Sequence, residues 1–291
     1  MLYNKGKDGV KLATIIDALI NIAANPISRL STVSRDGTRI NIVGYSLEEY
    51  VKNAFADTFE ENPTSITHQS QIFSWQGNQN NPPDLILRGS DAIEIKKMGG
   101  TGDIALNSSY PHAKLHSSSP MITKDCKRCE GDIEWEKDVV YAIGTVTNNT
   151  IKYLFFVYGD IYAASNDVYE RIRNHIKEGI AEISDVELSE TKELGRVNRV
   201  DPLGISHLRV RGMWTIQHPF TVYSYISQIS KPRDNSYHVF ALISNAKFNT
   251  FDRATTSQFL ALPETERFDI YVKNPNNPSQ LVECVLLRLD L

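Results

Sequence analysis

Pro82-Pro83-Asp84-Leu85-Ile86-Leu87-Arg88-Gly89-Ser90-Asp91-Ala92-Ile93-Glu94-Ile95-Lys96-Lys97 is the stretch from which the rest of the chain is read. Two short apolar runs, Asp84 to Arg88 and Ala92 to Lys96, flank Gly89-Ser90-Asp91, and this punctuation predicts a β-hairpin. Side chains alternate faces along a strand, so Glu94 and Lys96 share one face while Ile93 and Ile95 point into the core. A tight hairpin brings Asp84 beside Glu94. Paired carboxylates on a sheet edge are hard-oxygen donors suited to magnesium. A metal there would neutralise a phosphate oxygen and acidify a water. Lys96 would position that water or offset the charge that gathers on phosphorus. Phosphodiester hydrolysis is the chemistry that such a trio serves. The same residues also fit a solvated strand edge with an ordinary Glu94–Lys96 ion pair. Glu190-Thr191-Lys192 and Asp125-Cys126-Lys127 repeat the spacing, but neither has a Pro-Asp upstream at hairpin distance or lies in an apolar strand. Asp91 reads as a turn residue.

Upstream, Leu12, Ile15, Ile16, Leu19, Ile20 and Ala23 recur at helical spacing over about Val10 to Ala24, and Asn25-Pro26 stops that helix. A polar stretch, Ser31 to Arg39, carries a turn at Asp36-Gly37. A second helix is predicted from Ser46 as N-cap, with Glu48 and Glu49 in its first turn, where the helix dipole favours anions. Its apolar stripe is Leu47, Tyr50, Val51, Ala54, Phe55 and Thr58. Glu48 borders that stripe and can reach the sheet, whereas Glu49 points to solvent. Glu48 is therefore a fourth catalytic candidate beside Asp84, Glu94 and Lys96.

Downstream, Val139 to Val146 and Ile151 to Tyr158 form a strand pair around Asn148-Asn149. Tyr169, Ile172, Ile176 and Ile180 mark an amphipathic helix with a mixed-charge outer face. Further strands are expected at Leu208 to Ile216, Tyr237 to Ile243, Phe268 to Val272 and Leu281 to Leu289. Ser227 to Asn235 is a loop too weak to divide the chain, so one α/β domain over 1–291 is expected.

Composition sets outer limits. Lysine plus arginine is 31 and aspartate plus glutamate 35, a net charge of −4, over 291 residues. That excludes a wholly basic nucleic-acid coat but not a basic groove. No run reaches the roughly 18 apolar residues of a membrane span. Met1 to Val10 has no hydrophobic signal core, which predicts no export signal and a cytoplasmic protein. Three cysteines suit a reducing compartment better than a disulfide framework.

Pro83-Asp84 followed by Glu94-Ile95-Lys96 resembles the PD-(D/E)xK nuclease signature. The likeness extends beyond it. Asn81 to Asp84, Asp91 to Lys97, Ala105 to Pro111, Cys126 to Glu130, Glu190 to Gly204, Leu208 to Trp214 and Lys273 to Pro278 are similar to NgoPII-type restriction endonucleases. The resemblance implies a mixed β-sheet flanked by α-helices, with inserted DNA-recognition segments. It implies a type II enzyme that cuts double-stranded DNA at a short palindrome, GGCC being characteristic of the family. A magnesium requirement, a homodimer, a prokaryotic cytoplasmic location and a functional pairing with a DNA methyltransferase follow from the same resemblance. A junction or repair nuclease of the same fold, or a DNA-binding module without turnover, would share these features.

A two-fold dimer suits a palindrome because each subunit meets the same half-site. Guanine readout favours arginine. Arg209 and Arg211 lie two apart on a strand-like run, and Arg196 and Arg199 precede them. From Lys192 to Trp214 the charge is 5 − 2 = +3 in a chain of net −4. These arginines are DNA-contact candidates, with a solvated polar loop as the alternative. Asn107, Ser108 and Ser109 either hydrogen-bond DNA or form a turn. Cys126-Lys127-Arg128-Cys129 is half of a structural zinc site if His112 and His116 complete it, and otherwise a pair of reduced thiols. Trp75, Trp135 and Trp214 read as packing residues. No P-loop, nucleophile elbow or dinucleotide fingerprint is present.

Overall fold

The computed structural model describes residues 12–30, 39–59, 63–78, 81–107, 109–191, 193–232 and 236–291, with backbone alone for 39–46. The turn expected at Asp36-Gly37 lies outside these residues, as do Ser108 and Lys192.

Helix α1 (Ile15–Ala24) starts at Thr14, whose N–H donates to the Asp17 carboxylate at 3.0 Å. Ile15, Ile16, Ala18, Leu19 and Ile22 are buried. Helix α2 (Arg39–Ala56) begins well before Ser46. Ser46 is therefore no N-cap, and Glu48 and Glu49 lie in mid-helix. A helix stabilised by packing its apolar stripe runs through a serine whose local preference is to cap. The stripe itself is as expected: Leu47, Tyr50, Val51, Ala54, Phe55 and Thr58 are all buried.

Helix α3 (Ser65–Ile72) and strand β1 (Phe73–Asn78) carry no apolar periodicity to announce them. Neighbours order them instead. Arg88 donates to the Ser70 and Phe73 carbonyls at 3.1 and 3.2 Å, and the Trp75 indole donates to the Pro83 carbonyl at 3.0 Å. Next comes the expected hairpin. Strand β2 (Asn81–Leu87) pairs antiparallel with β3 (Ala92–Met98) in the register Leu85↔Ile93. Short strands β4 (Ile104–Asn107) and β5 (Lys114–His116) and a single turn of helix, α4 (Lys124–Lys127), lead to β6 (Glu136–Thr147) and β7 (Thr150–Tyr158). Asn148 and Asn149 have φ of 49° and 61°, the left-handed pair that a two-residue hairpin turn requires.

Helix α5 (Asn166–Ala181) follows, then β8 (Glu187–Leu188), β9 (Gly195–Asn198), β10 (Leu208–Val210) and β11 (Trp214–Ile216). The single strand expected over Leu208 to Ile216 is thus two strands in two sheets. Arg211-Gly212-Met213 breaks the run, β10 pairs with β9, and β11 pairs with β4. No residue of α5 is buried, so its apolar stripe is only partly covered. After α6 (Pro219–Val222) come β12 (His238–Ser244), α7 (Asn245–Phe248), α8 (Arg253–Leu260), β13 (Thr265–Asn274) and β14 (Asn277–Asp290).

The large sheet has the order β1-β2-β3-β6-β7-β12-β14-β13, with β3–β6 and β7–β12 parallel and the other pairs antiparallel; β5 adds to β6. This is a mixed sheet with helices around it. Every residue of β12 is buried, as expected of a central strand covered on both faces. The apolar core runs continuously from α1 through β14. Among the described residues no helix is long and apolar enough to cross a membrane.

Candidate active site

The register of β2 against β3 sets Asp84 across from Glu94. The Asp84 carboxylate accepts the Ile95 N–H at 2.6 Å, which ties the first strand's carboxylate to the second strand's backbone. Lys96 donates to Glu94 at 2.5 Å from the same face of β3, as the period of two requires. Both side chains are mostly buried, so neither the ion-pair nor the active-site reading can treat them as an ordinary solvated edge.

Helix α2 reaches this strand pair because β6 lets it in. A Cβ on Gly144 would fall 2.6 Å from Leu47 Cδ2, so any larger residue there would force Leu47 to shift. Leu47 is docked there, and Glu48 follows it beside the sheet. Glu48 keeps solvent exposure. Enough protein nevertheless surrounds it to raise its pKa, with Lys96 opposing and Glu94 adding to the rise. Glu49 is less exposed than Glu48 and pairs with Lys52 at 2.8 Å, so the expected contrast between a bordering Glu48 and a solvent-facing Glu49 does not hold.

Charge balance at the site is unfavourable to a full set of anions. Burial pushes the Asp84 carboxyl up to about 8; repulsion from Glu94 adds to this, and Lys96 and the Ile95 N–H oppose it. Burial works against the Lys96 ammonium, but Glu94, Asp84 and Glu48 outweigh it and raise its pKa. Three carboxylates therefore share one lysine. A second cation at Asp84 and Glu94 would relieve the surplus. Their oxygen donors match the chemistry of magnesium, which is commonly held by one or two carboxylates plus water and phosphate. Among the described residues no group of three or more His, Cys, Asp and Glu side chains is arranged as a metal cage.

Several residues that support the hairpin were not legible in the sequence. Glu130 accepts the Gly89 N–H at 3.1 Å, the Ser74 hydroxyl at 2.7 Å and the buried Lys137 ammonium at 2.9 Å, and so holds the hairpin turn. Asp91 is the expected turn residue, yet it is also an internal ion. It is 1% exposed, pairs with Lys247 at 2.6 Å and accepts the Tyr158 hydroxyl at 2.7 Å. Only the sequence position of Asp91 hints at the turn; its partner on α7 is beyond any local pattern. A cavity next to Glu94 is lined by Pro82, Pro83, Tyr110, His112 and Tyr141.

The arginine candidates for DNA contact occupy the small β8–β9–β10 sheet and its edges. Arg209 and Arg211 do converge, but on a carboxylate. Arg209 makes a bidentate pair with Glu193 at 2.7 and 3.0 Å, and Arg211 Nε lies 2.6 Å from the same side chain. Arg211 lies beyond the end of β10, so that strand does not carry both arginines. Arg199 has φ 49° and faces Glu187 at 3.5 Å, and Arg196 donates to Asn198 at 3.3 Å. Asn107 ends β4 in the left-handed conformation, φ 54°, opposite Trp214. Trp135 is buried, and Trp75 and Trp214 pack against the core.

Cys126 and Cys129 are free thiols in contact with each other. The histidines that would complete a zinc site are engaged elsewhere. His112 is buried against the Tyr110 ring with Ser109 at 3.2 Å, and His116 faces Glu136 at 3.5 Å. The zinc alternative loses its completing ligands because backbone geometry, and not sequence proximity, decides where a histidine points.

Residues 13–274 match the profile of the NgoPII restriction endonuclease family. The type II restriction enzyme NgoPII of Neisseria gonorrhoeae is 44% identical over 283 residues, which cover 95% of this chain and 99% of that enzyme. No solved structure matches the chain. A mixed sheet with flanking helices, a carboxylate–lysine hairpin within it and a match that spans nearly the whole chain lead to one conclusion: the protein belongs to the NgoPII restriction endonuclease family.

Proposed function

We propose that the protein is a type II restriction endonuclease that hydrolyses phosphodiester bonds in double-stranded DNA at a short GC-rich palindrome, GGCC. The observation that carries this reading is the convergence of Asp84, Glu94 and Lys96 on one hairpin face, in a chain of this family. The trio reads as a PD-(D/E)xK active site, with Asp84 and Glu94 as the residues that would hold magnesium. When bound, the metal supplies neutralisation of a phosphate oxygen and a more acidic water. Lys96 carries its charge at neutral pH and faces the same space, so it orients the attacking water and offsets charge on phosphorus. The Ile95 N–H fixes the Asp84 carboxylate against rotation. Glu48, from α2, borders the site and helps hold water there.

A palindromic site calls for two such hairpins related by a two-fold axis, hence a homodimer. A cognate methyltransferase would protect host DNA. Arg196, Arg199, Arg209 and Arg211, with Asn107, supply the DNA-contact set.

The test is digestion of unmethylated plasmid with magnesium and, separately, with calcium. Discrete fragments in magnesium alone, with ends that map to GGCC, are expected. A smear, cutting confined to branched DNA, or full cleavage by folded Lys96→Met protein would overturn the reading.

A further inference from the structure

The loop between β9 and β10 takes no part in the chemistry above. Asp201 shapes it. Its carboxylate accepts the N–H groups of Leu203 at 3.0 Å, Ile205 at 3.1 Å and Ser206 at 2.7 Å, and also the Ser206 hydroxyl. The Asp201 carbonyl accepts the Gly204 N–H at 2.8 Å, and Val200 N–H closes the loop on the Ser206 carbonyl at 3.0 Å. Gly204 turns the tip with φ +68°. The loop therefore has a shape before any partner arrives.

At that tip Leu203 is 82% exposed and Ile205 75%. Large aliphatic side chains gain nothing for folding when held in water. Their neighbour is a cation. Arg199 lays its stem along Gly204, where a Cβ would fall 3.3 Å from Arg199 Cγ, and its side chain is 71% exposed. Arg209 and Arg211 are held by Glu193, so of the four candidate arginines Arg199 is the one beside the tip. An exposed apolar point beside an arginine matches the surface that the endonuclease reading supplies: duplex DNA, with anionic rims and an apolar stack between them.

We infer that Leu203, backed by Ile205, is a wedge that enters the minor groove and separates two neighbouring base pairs, while Arg199 grips the adjoining phosphate. Side chains of this kind kink a duplex by partial unstacking, and the bend brings more of the protein surface against it. The inference rests on the endonuclease reading and adds to it a distortion of the bound site.

The test uses the full-length protein on duplexes that carry the cleavage sequence, with 2-aminopurine placed at one step after another and calcium in place of magnesium. The wild-type protein is expected to raise the fluorescence at one step. Leu203→Ala is expected to abolish that rise and weaken binding by about 10-fold, the lower range for withdrawing a buried leucine. Leu203→Met is expected to restore the rise. A complex that binds and cuts with no rise at any step would overturn the wedge and leave the endonuclease intact. So would a rise that survives Leu203→Ala. A protein that neither binds nor cuts any duplex would overturn both readings. Sedimentation without DNA gives a separate check: if Leu203→Asp turns a dimer into monomers, the tip is a subunit contact and the wedge is wrong.

Discussion

Lys247→Met isolates one buried charge and turns it against the fold. Lys247 on α7 lies 2.6 Å from Asp91 and 2.7 Å from Asp138. Asp91 is in the turn of the catalytic hairpin and Asp138 is on β6, so a single ammonium ties three elements together. Methionine keeps most of the stem and removes the charge. Breaking a buried pair from one side costs about 3–5 kcal/mol, because the orphaned ion stays desolvated. Against a domain stability of about 5–15 kcal/mol, that is a large fraction. The pH dependence is specific. Burial already raises the Asp91 pKa, and Lys247 is the largest influence that opposes the rise. Without it the Asp91 pKa should rise further. An acid whose pKa is raised on folding takes up a proton, so its stabilising contribution is present at low pH and is lost as pH climbs from the unfolded value through the folded one. The deficit of Lys247→Met should be small near the ordinary carboxylate pKa and largest at alkaline pH. Urea unfolding at a series of pH values from acid to alkaline measures it. The double variant Asp91→Asn with Lys247→Met should recover most of the loss. A variant as stable as the wild type at alkaline pH, or a deficit equal at every pH, would refute the reasoning.

Other outcomes follow from the same geometry. Lys96→Met should retain DNA binding and slow cleavage by about 10²–10³-fold, the range for loss of one stabilising group at developing charge, as single-turnover kinetics would show. Asp84→Asn should abolish cleavage and stabilise the metal-free protein at alkaline pH. Burial raises Asp84 to about 8, so the wild type loses stability as pH rises from near 4 toward that value, and the variant does not. Melting temperatures without metal at pH 5 and pH 8 would test this. Gly144→Ala places a methyl 2.6 Å from Leu47 and should cost about 1–3 kcal/mol by overpacking. It should also slow cleavage, because Glu48 travels with Leu47. Glu193→Gln should loosen Arg209 and Arg211, with increased cutting at near-cognate sites as the measured effect.

Local chemistry determined much of this protein without the fold. Apolar alternation around Gly89-Ser90-Asp91 specified the hairpin, and period two placed Glu94 and Lys96 on one face, since both rules act over a few bonded residues. Asn148-Asn149 announced its turn for the same reason, because asparagine tolerates positive φ. The stripe of α2 marked its buried face. What the chain could not declare locally was anything that depends on a distant partner. The start of α2 was masked by a serine that would cap a shorter helix. Strand β1 was invisible because its order comes from Arg88 and Pro83. Arg209 and Arg211 looked like neighbours on one strand, and Gly212 and the pairing of β11 with β4 end that strand early. Asp91 meets Lys247 across 156 positions, and Glu130 meets Gly89 across 41. Backbone periodicity is a property of the bonded chain. Charge pairing, burial and the pKa of Asp84 depend on which distant segments pack together, and only the tertiary structure decides that.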